Sequence, residues 1–192
     1  LLDNDITSRS VSRKLSSLKS FFKYLQIEGV IEVNPVNKVQ APKVGSKLLR
    51  VASEDELSQL FERDVFPQDD WGRCQQAIMY TFYHTGIRLS ELINLKVEDL
   101  DFAQDRLQVT GKRNKQRIVP ISPILKKVLS QHISVQKIAV NGDGKSYLFL
   151  SKKGNKLYPK LVYNIINTYL GFVSGLEKKS PHVLRHTFAT HM

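Results

Sequence analysis

The sequence predicts a mainly α-helical protein with one small antiparallel β-sheet, an α+β fold. Three observations predict it. Apolar residues recur at helical spacing through most of the 192 residues. The period shortens to that of a strand around "RLQVT" (106–110) and "RIVPIS" (117–122). Those two segments are joined by the short polar run "GKRNKQ", which reads as a basic hairpin.

The elements follow in order. From Ser8 to Glu28, Val11, Leu15, Leu18, Phe22 and Leu25 fall on one stripe of an amphipathic helix that Gly29 is placed to end. Its other faces carry Arg9, Arg13, Lys14, Lys19 and Lys23, either as a solvated surface or as a surface that follows phosphates. The stretch "VNPVNKVQAPKVGSKLLR" (33–50) holds Pro35, Pro42 and Gly45, with Lys43 and Lys47 among its basic residues and no acidic one. It reads as an extended linker and a domain boundary. The boundaries expected are residues 1–41 for the end of a first, all-α domain, 42–50 for the linker and 51–192 for the second domain. A single helix and a connector are too small for a domain, so the first is expected to lack its beginning.

In the second domain, Ser53 and Glu56 form a capping box at the head of "SEDELSQLF". "CQQAIMYTFYHTG" (74–86) is an apolar helix ended by Gly86, and "SELINL" (90–95) opens another behind Ser90. After the hairpin come a helix in "PILKKVLSQHISVQKIAV" (123–140), a loop, a short apolar strand "YLFL" (147–150) and a helix in "KLVYNIINTYLGFV" (160–173). Ser180 and Pro181 suit the N-cap and first turn of a closing helix entered at His182.

Composition narrows the function classes. Hydrophobic residues make up 41% of the chain, enough for a core and against disorder. Lys and Arg number 29 against 18 Asp and Glu, a formal net charge of +11 that suits a polyanion such as nucleic acid. No apolar run reaches bilayer-spanning length, and "LLDNDITSRS" lacks the pattern of a secretory signal, so a cytoplasmic protein without membrane association is expected. A single cysteine, Cys74, excludes an internal disulfide and a multi-cysteine zinc cluster, and reads as a buried thiol.

The closing stretch carries the densest chemistry. His182 and Arg185 are three apart and share a helix face in the first turns, where free backbone N–H groups also favour an anion. An arginine beside an imidazole suits a phosphate undergoing transfer. His182 and His186 also have a metal-ligating spacing, but no Cys, Asp or Glu stands near to complete a set, and no metal is expected. His186 and His191 read as packing or supporting residues. In "TGIRLSEL" (85–92), Arg88 stands between a helix-ending glycine and a new helix, with Glu91 close enough to orient its guanidinium; the plainer alternative is a surface ion pair. The hairpin gathers Lys112, Arg113, Lys115 and Arg117, as a solvated turn or as a ridge that fits a DNA groove.

Taken in order, "TGIRLSEL", "GKRNKQRIVPI" and "HVLRHTFATH" resemble the tyrosine recombinase (phage integrase) family, most closely its Xer-like site-specific recombinases. "SRKLSSLKSFFKYL", "NPV" and "APK" also resemble the last helix of that family's core-binding domain and its linker. The resemblance implies a catalytic domain preceded by the end of an all-α core-binding domain. It implies cleavage and rejoining of DNA through a 3′-phosphotyrosine intermediate, with neither metal nor ATP and no cofactor. The implied catalytic residues are Arg88 and Arg185 as phosphate-binding guanidiniums, Lys112 as the acid that protonates the leaving 5′-oxygen, and His182 as proton-transfer and phosphate-holding group, with Glu91 supporting Arg88. Phosphate contacts are expected from Arg13, Lys14, Lys43, Lys47, Arg113, Lys115 and Arg117. The implied partner is double-stranded DNA at a specific recombination site, within a tetrameric synapse that a partner recombinase can share.

The family's nucleophilic tyrosine, and a further His or Trp, lie in helices after the "HxxR" helix. None of the seven tyrosines here follows Arg185. Tyr158, Tyr163 and Tyr169 precede the motif and read as packing residues, so the nucleophile is expected after Met192 and the 192 residues alone are expected to be inactive. Two other readings stay open at this point, a type IB topoisomerase-like enzyme and a DNA-binding module without catalysis.

Overall fold

The structure, a computed structural model, describes residues 6–43, 52–62, 65–135, 146–173, 176 and 179–191. By internal contacts the chain divides into two compact units, Leu1–Leu48 and Leu49–Met192. Lys47 lies outside the described residues, as does the end of the helix expected to run to residue 140.

The first unit is built on helix α1, Ser8–Ile27. The Thr7 hydroxyl caps its start by accepting from the Ser10 amide. At its end Gly29 takes a left-handed φ of 72°, which lets the Val30 amide reach back to the Leu25 carbonyl. The following loop folds onto the helix, where Asn34 Nδ2 donates to the Lys19 carbonyl and Gln26 Nε2 to that of Glu32. Leu15 is the one residue of the helix that is buried, and Arg13, Lys14 and Lys43 are exposed.

The second unit wraps helices around a small sheet. Helix α2 (Glu54–Glu62) has the expected capping box: Ser53 Oγ accepts from the Glu56 amide and Glu56 Oε2 from the Ser53 amide. Helix α3 (Asp70–Thr85) is the central rod, capped by Asp69 and buried along Ala77, Ile78 and Phe82. It stops at Gly86, whose φ is 54°. Three residues later α4 begins (Leu89–Asn94). Strands β1 (Leu100–Asp101), β2 (Arg106–Thr110) and β3 (Gln116–Pro120) form an antiparallel sheet in the order β1-β2-β3. Helices α5 (Pro123–Val135), α6 (Pro159–Leu170) and α7 (Pro181–His191) complete the unit. Leu92, Leu107, Val109, Leu125, Leu129, Ile166 and Leu184 meet in one core.

The mainly helical α+β fold is as expected, and two local expectations change. "YLFL" is not a strand: Tyr147 and Leu150 each make a single bridge, to Lys96 and Lys156. The chain opposite Tyr147 enters a 3-10 turn at Val97 and curls away, so pairing cannot extend. Leu148, Phe149 and Leu150 still bury their side chains, and the Leu148 amide donates to the Leu95 carbonyl. Of the three tyrosines expected to pack, Tyr169 does, with its hydroxyl on Gln75, whereas Tyr158 and Tyr163 are exposed. The α6 face that turns inward runs through Val162, Ile165, Ile166 and Tyr169, which leaves those two on the outer side.

Candidate active site

A three-residue turn, Gly86-Ile87-Arg88, starts the site. Gly86 ends α3 in the left-handed region, and Ile87, 1% exposed, plugs the core between the helices. That buried anchor fixes the direction in which α4 leaves, with Arg88 at its N-cap. The position normally favours a short polar side chain. Here Glu91, at the third helical position, closes the cap by accepting from the Arg88 amide at 2.6 Å and from Arg88 Nη1 at 2.8 Å. The pair is therefore more than a surface ion pair, because the Glu91 side chain is only 1% exposed while that of Arg88 is 50% exposed. A guanidinium fixed on its inner edge and open on its outer edge is arranged to receive an anion.

Glu91 has a second cation. Arg117 on β3 grips it with both ends of its fork, Nη1 to Oε1 and Nη2 to Oε2, each at 2.8 Å. Burial pushes the Glu91 carboxyl up, but the bonds from Arg117, the Arg88 amide and the Arg88 guanidinium outweigh it and hold the pKa at about 2. Arg117 was expected on the hairpin's phosphate-facing edge; its fork is turned to Glu91 instead. The strand period explains this. Arg117 shares a face with the buried Val119, whereas Ile118 points outward and is 63% exposed. A cation on the inner face needs a buried anion, and Glu91 supplies it. That parity is readable in "RIVPI", and it was the missed signal.

The other half of the site comes from α7. Pro181, Val183, Leu184 and Thr187 are buried, and Phe188 packs where a Cβ on Gly86 would stand. This docking turns His182 and Arg185 away from the core. Arg185 Nη1 donates to the Gly86 carbonyl, one of the groups left free at the end of α3. His182 is exposed, and so is His186.

Arg88, His182 and Arg185 line one cavity of about 560 Å³, together with Tyr163, Pro159 and Ser180. Three of the four expected catalytic residues thus converge, from α4 and α7. Lys112 is not among the residues lining that cavity. It is exposed in the β2–β3 hairpin, as are Arg113 and Lys115. The hairpin's root does reach the site: a Cβ on Gly111 would lie 3.2 Å from Glu91 Oε1. Tyr163, expected as a packing residue, stands instead in the cavity wall. Among the described residues no group of His, Cys, Asp and Glu side chains is placed to hold a metal ion. Cys74 is buried, and burial pushes its thiol up to about 12, so it is no nucleophile at neutral pH.

The arrangement offers two fixed guanidiniums and an accessible imidazole around one opening, with a lysine-bearing hairpin fastened beside it. Known proteins share the sequence and the fold. The chain is 39% identical to a tyrosine recombinase XerC of Chlorobaculum parvum and 38% identical to one of Thermodesulfovibrio yellowstonii, over 100% and 95% of its own length. It spans 63% and 62% of the length of those relatives. A crystal structure of XerA recombinase matches 97% of this chain and 69% of that one, with a TM-score of 0.62 and 27% identity. XerH recombinase bound to a palindromic difH substrate, in a post-cleavage complex, matches 100% of this chain and 56% of that one, with a TM-score of 0.77 and 20% identity. The sequence profile of the phage integrase family matches residues 50–192, and with relatives at these identities the chain belongs to that family.

Proposed function

We propose that this chain forms the phosphoryl-transfer core of a site-specific DNA recombinase working through a 3′-phosphotyrosine intermediate. The observation that carries the reading is the meeting of Arg88, His182 and Arg185 at one cavity. In the proposed reaction a tyrosine oxygen attacks the phosphorus, the bond from phosphorus to the 5′-oxygen breaks, and that oxygen leaves with a proton as a 5′-hydroxyl. Charge then gathers on the two non-bridging oxygens. Arg88 and Arg185 are held by Glu91 and by the Gly86 carbonyl, so they meet that charge without first having to reorganise. His182 holds the phosphate and assists the transfer of the nucleophile's proton, and Lys112 protonates the leaving oxygen. The tyrosine belongs to residues after Met192 in this reading.

The partner is double-stranded DNA, in a tetrameric synapse at matched sites. The net charge of +11 supports it, as do the exposed Arg13, Lys14, Lys43, Arg113 and Lys115, which we assign to phosphate contacts. Arg88→Ala and Arg185→Ala test the reading in the full-length protein. Each is expected to slow strand cleavage on the order of 100-fold or more, since each removes a preplaced donor opposite transition-state charge. Site binding, spread over many phosphates, should change by no more than about threefold. Cleavage at the wild-type rate by either variant would overturn the assignment.

A further inference from the structure

Arg117 has no part in the chemistry just described, yet its guanidinium is the most fully committed near the site. Both ends of its fork are spent on a carboxylate whose side chain is 1% exposed. A bidentate arginine on a buried anion fixes geometry as well as charge. What it fixes here is the hairpin. Arg117 pairs with Val109 in the sheet, one pair below the turn. Gly111 sits directly over Glu91, where a Cβ would stand 3.2 Å from Oε1 and 3.8 Å from Arg117 Nη1. Lys112 follows immediately, and the Gly111 amide closes the hairpin by donating to the Lys115 carbonyl at 2.8 Å. Residues 112–116 beyond this root are all exposed.

Glu91 therefore touches both halves of the proposed machinery. Its oxygens orient Arg88 on one side and grip the strand that carries the lysine hairpin on the other. We propose that Arg117 is a positioning residue for Lys112: clamped on Glu91, it seats the hairpin on the start of α4 and fixes the lysine's distance from the phosphate that Arg88 holds. This rests on the reading of Lys112 as the acid for the leaving oxygen. It gives a role to the salt bridge that joins α4 to β3 beside the site.

The test compares two substrates in the full-length protein, normal DNA and DNA with sulfur in place of the bridging 5′-oxygen. Sulfur leaves without a proton, so it removes the need for Lys112. Arg117→Ala is expected to slow cleavage of normal DNA about 10- to 100-fold, the range for a group displaced by about an ångström. Most of that loss should vanish on the sulfur strand, in parallel with Lys112→Ala. The Lys112→Ala, Arg117→Ala double variant should be no slower on normal DNA than Lys112→Ala alone, because residues acting as one unit are not additive. Arg117→Lys keeps the charge and loses the fork, and should show a smaller loss with the same rescue; it carries the comparison if Arg117→Ala does not fold. Equal impairment of Arg117→Ala on both substrates, or a double variant slower by the full factor of each, would overturn the clamp while Arg88 and Arg185 kept their roles. A Lys112→Ala variant that the sulfur strand does not rescue would instead sink the reading beneath it.

Discussion

The two corners that present guanidiniums to the cavity are built on different physics. At the Arg88 corner the anchor is a charge: Glu91, buried, ties together α4, β3 and the Arg88 backbone. At the Arg185 corner the anchor is packing. Phe188 fills the space that Gly86 leaves empty, and the arginine then finds the free carbonyl at the end of α3, where a cation is also favoured by the helix dipole. Both anchors belong to one turn, since Gly86 supplies the carbonyl and Arg88 follows two residues later. The separation of the two guanidiniums is thus set by a tight turn with its middle residue locked in the core, and two unlike corners deliver one spacing.

The largest blow to this comparison is at Gly86. Gly86→Ala forces a side chain into the left-handed region and drives its methyl into the Phe188 ring. Left-handed strain of roughly 1–2 kcal/mol adds to a comparable overpacking cost, for a loss near 3 kcal/mol. Urea denaturation should show that loss, and cleavage should fall with it as α7 shifts and Arg185 leaves its carbonyl. A loss well under about 1 kcal/mol would mean that α7 docks loosely and packing does not set this corner.

The charge-built corner should instead respond to acid. Glu91→Gln keeps the shape of the side chain and removes its charge. At pH 7 it is expected to cost about 2 kcal/mol, the usual scale for hydrogen bonds to a charged group, kept modest because both guanidiniums are partly exposed. The pKa of Glu91 is depressed on folding, from an ordinary value near 4.5 to about 2. Its contribution is therefore complete above pH 4.5 and is lost as pH falls toward 2. The stability gap between wild type and Glu91→Gln should be constant from pH 7 to 5 and narrow steadily below. A gap that persists undiminished to pH 2.5 would show that the carboxylate's charge is not what holds the corner.

What the sequence disclosed follows the same division. The Ser53–Glu56 cap, the stop at Gly86 and the Arg88–Glu91 pair are contacts within four residues, and local pattern rules reach them. His182 and Arg185 were placed on one face by helical period alone. Contacts across long separations were out of reach: Arg185 meets Gly86 99 residues away, and no property of either residue announces the other. Tyr163 illustrates a different failure. Its aromatic ring reads as core, and only the rotation of α6, set by Ile165 and Ile166, turns it to the cavity. Arg117 lies between these cases, since strand parity demanded a partner without saying which.

The smallest effect sharpens the charge-built corner at its outer end, the hairpin tip. Arg113 and Asn114 both have left-handed backbones, with φ of 59° and 57°. That is the two-residue turn suited to the twist of paired strands, and its first position favours Asn or Gly over a long side chain. An arginine there is strained by about 1–2 kcal/mol, and replacing it with glycine returns roughly half of that once the freer unfolded chain is counted. Arg113→Gly should therefore raise stability by about 0.5–1 kcal/mol. The same change removes a cation assigned to a phosphate contact, so DNA affinity should fall and the slope of log affinity against log salt should flatten by about 0.9. Opposite movements of stability and affinity would show that the strain at Arg113 is kept for its charge. If stability rises while the salt slope stays fixed, the tip does not touch phosphate, and the hairpin serves the site through Lys112 and its root on Glu91 alone.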